Sequence, residues 1–142
     1  MSNQDSELFD FMLGRKIGYG VYREVFNCRF NDKYVVKVAN GDGGRSANIL
    51  EYKLWSDMYL TPLEKWFAPV MGVSESGKYL IQEKVEMLPK SQYPEKIPHF
   101  FTDTKYSNFG HLEGKGFVCV DFGSFNIFKG VSTRMVKAEW WE

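Results

Sequence analysis

Apolar residues recur at every second position across much of Leu13 to Ala39, the period of strands that bury one face of a sheet. Arg15-Lys-Ile-Gly18 ends in a glycine turn, Tyr22 to Phe30 alternates, Asn31-Asp32-Lys33 makes a tight hairpin, and Tyr34 to Ala39 gives a third strand. Asn40-Gly-Asp-Gly-Gly44 then breaks the sheet. Beyond it Ile49, Leu50, Leu54, Trp55 and Met58 stand at helical spacing, so a helix is expected from an N-cap at Ser46 to about Tyr59, with one face on the sheet. Pro62 and its neighbours end that helix. Trp66 to Val73 and Tyr79 to Val85 read as two further strands, joined by the turn Glu75-Ser-Gly-Lys78. Asn108 to Leu112 and Phe117 to Val120 form a last hairpin about Glu113-Gly-Lys-Gly116.

Three stretches carry weaker patterns. Ser6 and the residues after it fit either a short capped helix or a lead-in strand. Met87 to Pro98, with three prolines and scattered charge, is linker-like. The tail from Ser124 onward is ambiguous, but its end carries Trp140 and Trp141, which are costly to leave in water. Together these elements predict an α+β chain: one compact domain over 1–142, divided into a sheet lobe at about 13–86, a linker at 87–98 and a reduced segment and tail at 99–142.

Bulk properties remove several functions from consideration. Charged residues are 25% of the chain and cancel to zero, and no Lys/Arg stripe emerges, so a nucleic-acid partner is not expected. Aromatics at 17% fit a small domain that fills a short core with large side chains. Cys28 and Cys119 each lie in an apolar, strand-like run, which predicts buried free thiols in a reducing compartment. Neither a signal-peptide core nor an apolar run near eighteen residues occurs, so no membrane association is expected and a cytoplasmic setting is.

The chemistry concentrates late in the chain. Asp103-Thr-Lys105-Tyr-Ser-Asn108 is followed, thirteen residues beyond Asn108, by Asp121-Phe122-Gly123. Phosphoryl transfer needs acidic or amide ligands for Mg²⁺ and a carboxylate that can accept a hydroxyl proton, and this run supplies both. In spacing and order it resembles the protein-kinase-like family. The resemblance extends upstream, where Ile17-Gly18-Tyr-Gly20-Val-Tyr-Arg23-Glu-Val25 is similar to the glycine-rich loop, with Arg23 where the third glycine would stand. Val35-Val36-Lys37 is similar to the strand that carries the family's phosphate-binding lysine, and Glu51 matches its helix glutamate.

The resemblance implies a kinase-like N-terminal lobe, a five-stranded antiparallel sheet plus one helix, then a minimal catalytic-loop hairpin with most of the helical second lobe absent. It implies ATP and Mg²⁺ as cofactors. Gly18 and Gly20 would approach the phosphates, while Val25 and Ala39 would sandwich the base. Backbone groups of Glu83 and Val85 would hold adenine, and Lys37, paired with Glu51, the α and β phosphates. Asp103 would be the base, Lys105 would stabilise the transferring phosphate, and Asn108 and Asp121 would bind the metal.

Departures shape the functional expectation. Phe101-Thr102 stands where the family has His-Arg, so control through a phosphorylated activation loop should be absent. About eighteen residues separate Val85 from Asp103, too few for the two helices that usually intervene, and no Ala-Pro-Glu motif follows Gly123. A loop without its supporting helices must be covered by the aromatic tail, a second copy of the chain or a partner protein, which predicts self-association or partner binding through Met87–Pro98 and the tryptophan tail. Such compression fits a small genome such as a phage's, and then a host's cytoplasm. The leading expectation is a minimal Mg-ATP-dependent phosphotransferase acting on a protein substrate, with Ser/Thr acceptors favoured by Lys105. The alternative is a non-catalytic kinase-like module that occupies or inhibits a partner such as a host protein. AMP transfer from the same site is a related third option.

Overall fold

A computed structural model describes residues 3–123 and 134–142, with side chains placed from residue 7 onward. Helix α1 (Asn3–Phe11) leads into strands β1 (Leu13–Tyr19), β2 (Arg23–Cys28) and β3 (Tyr34–Ala39), then helix α2 (Gly41–Met58) and strands β4 (Val70–Val73) and β5 (Tyr79–Glu83). The five strands form one antiparallel sheet in the order β1-β2-β3-β5-β4. This is the α+β lobe that the hydrophobic pattern predicts.

The central strand β3 is covered on both faces. Val36 packs with Cys28 and Tyr79 under Phe9, Met12 and Leu13. Phe9 stacks on Tyr79 with ring centroids 4.9 Å apart, and the Tyr79 hydroxyl donates to Asp10. The ambiguous N-terminal stretch is therefore a helix, Ser6 lies inside it, and its apolar face closes the outer side of the sheet. On the inner side Leu54, Trp55 and Met58 of α2 meet Val70 and Leu80 of the sheet. The same cluster continues without a break through Phe67, Tyr93, Ile97, Phe100, Phe101, Phe109, Cys119 and Phe122.

Helix α2 starts at Gly41, five residues before the expected cap at Ser46, and the capping position is Asn40. The glycine run is its first turn, and close packing is the reason for it. A Cβ on Gly44 would stand 2.2 Å from the Tyr22 carbonyl oxygen and 2.9 Å from the Ala39 Cβ. The segment expected to be a strand from Trp66 begins as a 3₁₀ turn at Glu64–Trp66, and only Val70–Val73 joins the sheet. Before that, Ala68 donates to the Cys119 carbonyl at 2.9 Å, so this stretch binds the C-terminal hairpin instead.

That hairpin follows three-residue strand β6 (Lys96–Pro98) and consists of β7 (Phe109–Leu112) and β8 (Gly116–Cys119), while β9 (Met135–Lys137) lies in the tail. Strand β9 pairs antiparallel with β6, with Ile97 opposite Val136. The linker-like segment is thus ordered structure: a 3₁₀ turn at Lys90–Gln92 and then a strand. Of the ambiguous tail, positions 124–133 lie outside the described residues.

Candidate functional site

A cleft of about 680 Å³ opens between the β1–β2 turn, β3, the chain leaving β5, and the segment from Lys105 to Gly123. Its floor is set by two periodicities. Alternation along β3 puts Val35 and Lys37 on one face, and helical spacing puts Asn48, Glu51, Leu54, Trp55 and Met58 on the buried side of α2. Lys37 and Glu51 therefore meet. Lys37 Nζ donates to Glu51 Oε1 at 2.5 Å and also to the Val120 carbonyl. Glu51 is fully buried and Lys37 is 5% exposed.

Glu51 Oε2 accepts two further bonds, from Arg23 Nη2 at 3.1 Å and from the Phe122 N–H at 3.1 Å. Arg23 Nη2 also reaches Asp121 Oδ1 at 2.6 Å, and its Nη1 donates to Asn48 Oδ1 at 3.1 Å. The Asn48 amide donates in turn to the Gly77 carbonyl at 2.9 Å. Burial alone would raise Glu51, but the Lys37 and Arg23 charges outweigh it and hold the carboxylate below its ordinary range. Burial pushes Lys37 down, against the pull of Glu51. For Arg23 burial is overcome by Glu51 and Asp121, so its guanidinium stays above its ordinary value.

The structure brings most of the anticipated residues to this cleft. Gly18, Gly20, Val25, Lys37, Glu83, Val85, Lys105, Asn108 and Asp121 all line it, and Glu51 sits beneath Lys37. Ala39 does not line it. It shares a strand face with Lys37, yet the first turn of α2 lies directly over it, with Gly44 in contact, and Val35 faces the cleft in its stead. Asp103 is exposed outside the lining, and its Oδ1 accepts a long 3.4 Å bond from the Lys105 N–H. Arg23 is the group that sequence reasoning missed. Its position in the glycine-rich pattern marked a lost glycine, and nothing there signalled a buried cation joining three elements.

The loop from Asp103 to Asn108 is held by the tail. Residue Lys105 bridges Trp141 in parallel, with Tyr106 N–H donating to the Trp141 carbonyl at 2.8 Å and Trp141 N–H to the Thr104 carbonyl at 3.2 Å. The Thr104 hydroxyl donates to the Glu139 carbonyl. Trp140 lies edge-on to Tyr93, Phe109 and Phe117, stacks on Tyr106, and donates its indole N–H to the Pro94 carbonyl at 2.9 Å. The aromatic tail, one of the covers anticipated for this loop, lies on it. Phe101, at the position of the family's histidine, packs on Phe67 and Phe109.

The donor set fits Mg²⁺. Among the described residues no cluster of three or more His, Cys, Asp or Glu occurs, so a metal here would take Asn108 and Asp121 plus oxygens of a bound phosphate. One or two hard oxygen ligands from protein, completed by phosphate and water, is the usual arrangement for that ion. Arg23 already occupies one oxygen of the Asp121 carboxylate.

A five-stranded sheet with α2 behind it, a buried Lys–Glu pair and an Asp-Phe-Gly segment across a cleft define the N-terminal lobe of a protein-kinase-like fold. Solved structures share it. The gentamicin complex of APH(2″)-IIa superposes with a TM-score of 0.50 at 20% identity, over 63% of this chain and 30% of that one. The streptomycin–ATP complex of the same protein gives 0.48 at 20% identity over 63% and 30%. ADP-bound aminoglycoside phosphotransferase APH(2″)-Ib gives 0.48 at 24% identity over 66% and 32%. The chain thus spans under a third of the length of these neighbours. At 20% identity the likeness to the gentamicin complex establishes the fold alone. No protein-family model and no curated protein matches the sequence. Among the described residues no helix is long and apolar enough to cross a membrane.

Proposed function

We propose that the cleft binds ATP and that the chain is a minimal ATP-dependent phosphotransferase. The observation that supports this most is the Lys37–Glu51 pair, buried in the cleft floor across from Asn108 and Asp121. Burying a lysine and a glutamate costs several kcal/mol for each ion, and their contact, with the bonds of Glu51 to Arg23 and the Phe122 N–H, offsets that while leaving Lys37 oriented towards the cleft. In this reading Lys37 holds the α and β phosphates, and the Gly18–Gly20 turn lets backbone N–H groups approach them. Val25, Val35 and Val85 form an apolar slot for the base. Bound Mg²⁺ would neutralise charge on the phosphates during transfer. Lys105 adds a cation at the transferring phosphate. Asp103, on the outer side of the same loop, accepts the proton of an acceptor hydroxyl arriving from solvent. Lys105 at its position favours Ser/Thr side chains of a protein as acceptor.

A second reading, a non-catalytic module that binds nucleotide and acts by occupying a partner, is favoured by the 2.6 Å contact of Arg23 with Asp121 and by the exposure of Asp103. Incubation with γ-labelled ATP and Mg²⁺ separates the two. Label on the protein or on a lysate that disappears in Asp103→Ala and Asp121→Ala supports transfer. A rise in melting temperature with ATP but no label favours the binding module, and no response to millimolar ATP defeats both.

A further inference from the structure

Arg23 stands at the start of β2, where a kinase-like glycine-rich loop has its third glycine, and 8% of it is exposed. Its partners come from elsewhere in the fold: Asn48 and Glu51 from α2, and Asp121 from the end of the C-terminal hairpin. The Asp121 side chain is half-exposed at the cleft wall, whereas that of Arg23 is anchored from behind. The contact is therefore not a loose surface pair: the guanidinium is fixed by α2 and presents its charge to a carboxylate that faces the cleft.

The charge count of the site changes as a result. Lys37 and Arg23 balance Glu51 and Asp121, so these four groups are neutral without any metal. With glycine at position 23 the same cluster would carry a net negative charge, and a polyphosphate would need a divalent cation before it could approach. Guanidinium remains charged at any accessible pH and presents several N–H donors in a plane suited to carboxylate and phosphate oxygens. Lys84 and Lys105 also line the cleft, which adds positive charge along the path of a phosphate chain.

We propose that Arg23 does at Asp121 the electrostatic work of a divalent cation, so that the cleft takes up a nucleoside triphosphate without metal. The inference rests on the nucleotide reading of the cleft. It separates two requirements: binding becomes metal-independent, while transfer still draws on the metal. Arg23 is on this account a positioning and charge-compensating residue.

Isothermal titration of the full chain with ATP, once in EDTA and once with Mg²⁺, tests it. The expected wild-type result is dissociation constants within about threefold of each other, a difference well under 1 kcal/mol. Arg23→Gly should bind in Mg²⁺ and weaken in EDTA by about tenfold or more. Wild-type binding that appears only with Mg²⁺ would overturn the inference while leaving the nucleotide cleft intact. No binding in either buffer would overturn the cleft reading itself, and the inference with it. Should Arg23→Gly not fold, as judged by circular dichroism, Arg23→Gln, which keeps much of the bulk and hydrogen bonding but not the charge, decides. It should bind ATP in Mg²⁺ and weaken in EDTA by about tenfold or more. Equal affinity of that variant and the wild type in EDTA would refute the proposal.

Discussion

Glu51 is fully buried between two cations and a backbone N–H, and it holds Lys37, Arg23 and Phe122 in one arrangement. Its replacement by glutamine leaves the buried Lys37 without its counter-charge and Arg23 with Asp121 alone. Breaking a buried pair in this way costs about 3–5 kcal/mol, so the urea midpoint of Glu51→Gln should fall accordingly. The pH dependence follows from the direction of its shift. The folded carboxylate titrates below its unfolded value, so its contribution to stability is complete above the ordinary glutamate range, about pH 4.3, and is lost as pH falls through the folded value. Urea unfolding of the wild type between about pH 6 and pH 3 should show this acid-side loss, and the glutamine variant should show a flatter profile. At this scale the sequence was readable where periodicity decides: strand alternation aims Lys37 inward, and helical spacing turns Glu51 towards it. It was not readable for Ala39, because alternation assigns a face but not how far the next helix covers it. Nor was it for Arg23, since two of its partners stand on α2 and the third nearly a hundred residues along the chain.

Helix α2 and the tail show what elements add to single residues. The helix can approach β3 only because Gly44 has no side chain. In Gly44→Ala the new methyl would meet backbone of Tyr22 and Ala39 at 2.2 Å and 2.9 Å, so the helix must shift. An overpacked contact of this kind costs about 1–3 kcal/mol, and the displaced Glu51 should weaken ATP binding as well. A lower melting temperature with unchanged ATP affinity would show that the helix absorbs the strain without moving Glu51. Strands β1, β2, β3 and β5 and the body of α2 were legible because each is long enough to show its period, whereas four-residue β4 was expected too early, from Trp66. Strands β6 and β9 were not legible. Each has three residues, one ends in proline, and the pairing that orders them spans the chain between Lys96 and Lys137. Trp140 reports on this pairing. Its ring fills the space between Tyr93, Phe109 and Phe117, and Trp140→Ala should destabilise by about 3 kcal/mol, the lower end for aromatic truncation in a core because the ring is only partly buried. A shift in thermal midpoint within error of zero would mean that the tail does not bear on the fold.

Across the whole molecule, one apolar cluster runs from α2 through Phe67 and Phe122 to Phe109 and Trp140, so the sheet lobe and the loop carrying Asp103 share a core. The hydrogen bonds of residues 139–141 to Thr104 and Tyr106 tie that loop to the tail. The sequence predicts self-association or partner binding through Met87–Pro98 and the tryptophan tail. If the tail seated on the loop is a sufficient cover, the 142-residue chain should instead sediment as a monomer of 16.5 kDa. Removal of residues 135–142 uncovers Tyr93, Ile97, Phe109 and Phe117 together, a contiguous apolar patch that favours association. Sedimentation velocity should then show species whose size grows with concentration, and identical profiles for the two forms would count against the tail as cover. The shortened form also distinguishes binding from chemistry. Beyond the β6 pairing, the tail's hydrogen bonds go to Pro94, Glu95, Thr104 and Tyr106, none of which lines the cleft, so ATP affinity should change little. Any transfer activity should fall by about a hundredfold or more, the penalty for a catalytic group displaced by an ångström. Equal losses of binding and transfer would instead place the tail in general stability, with no separate hold on Asp103, Lys105 and Asn108.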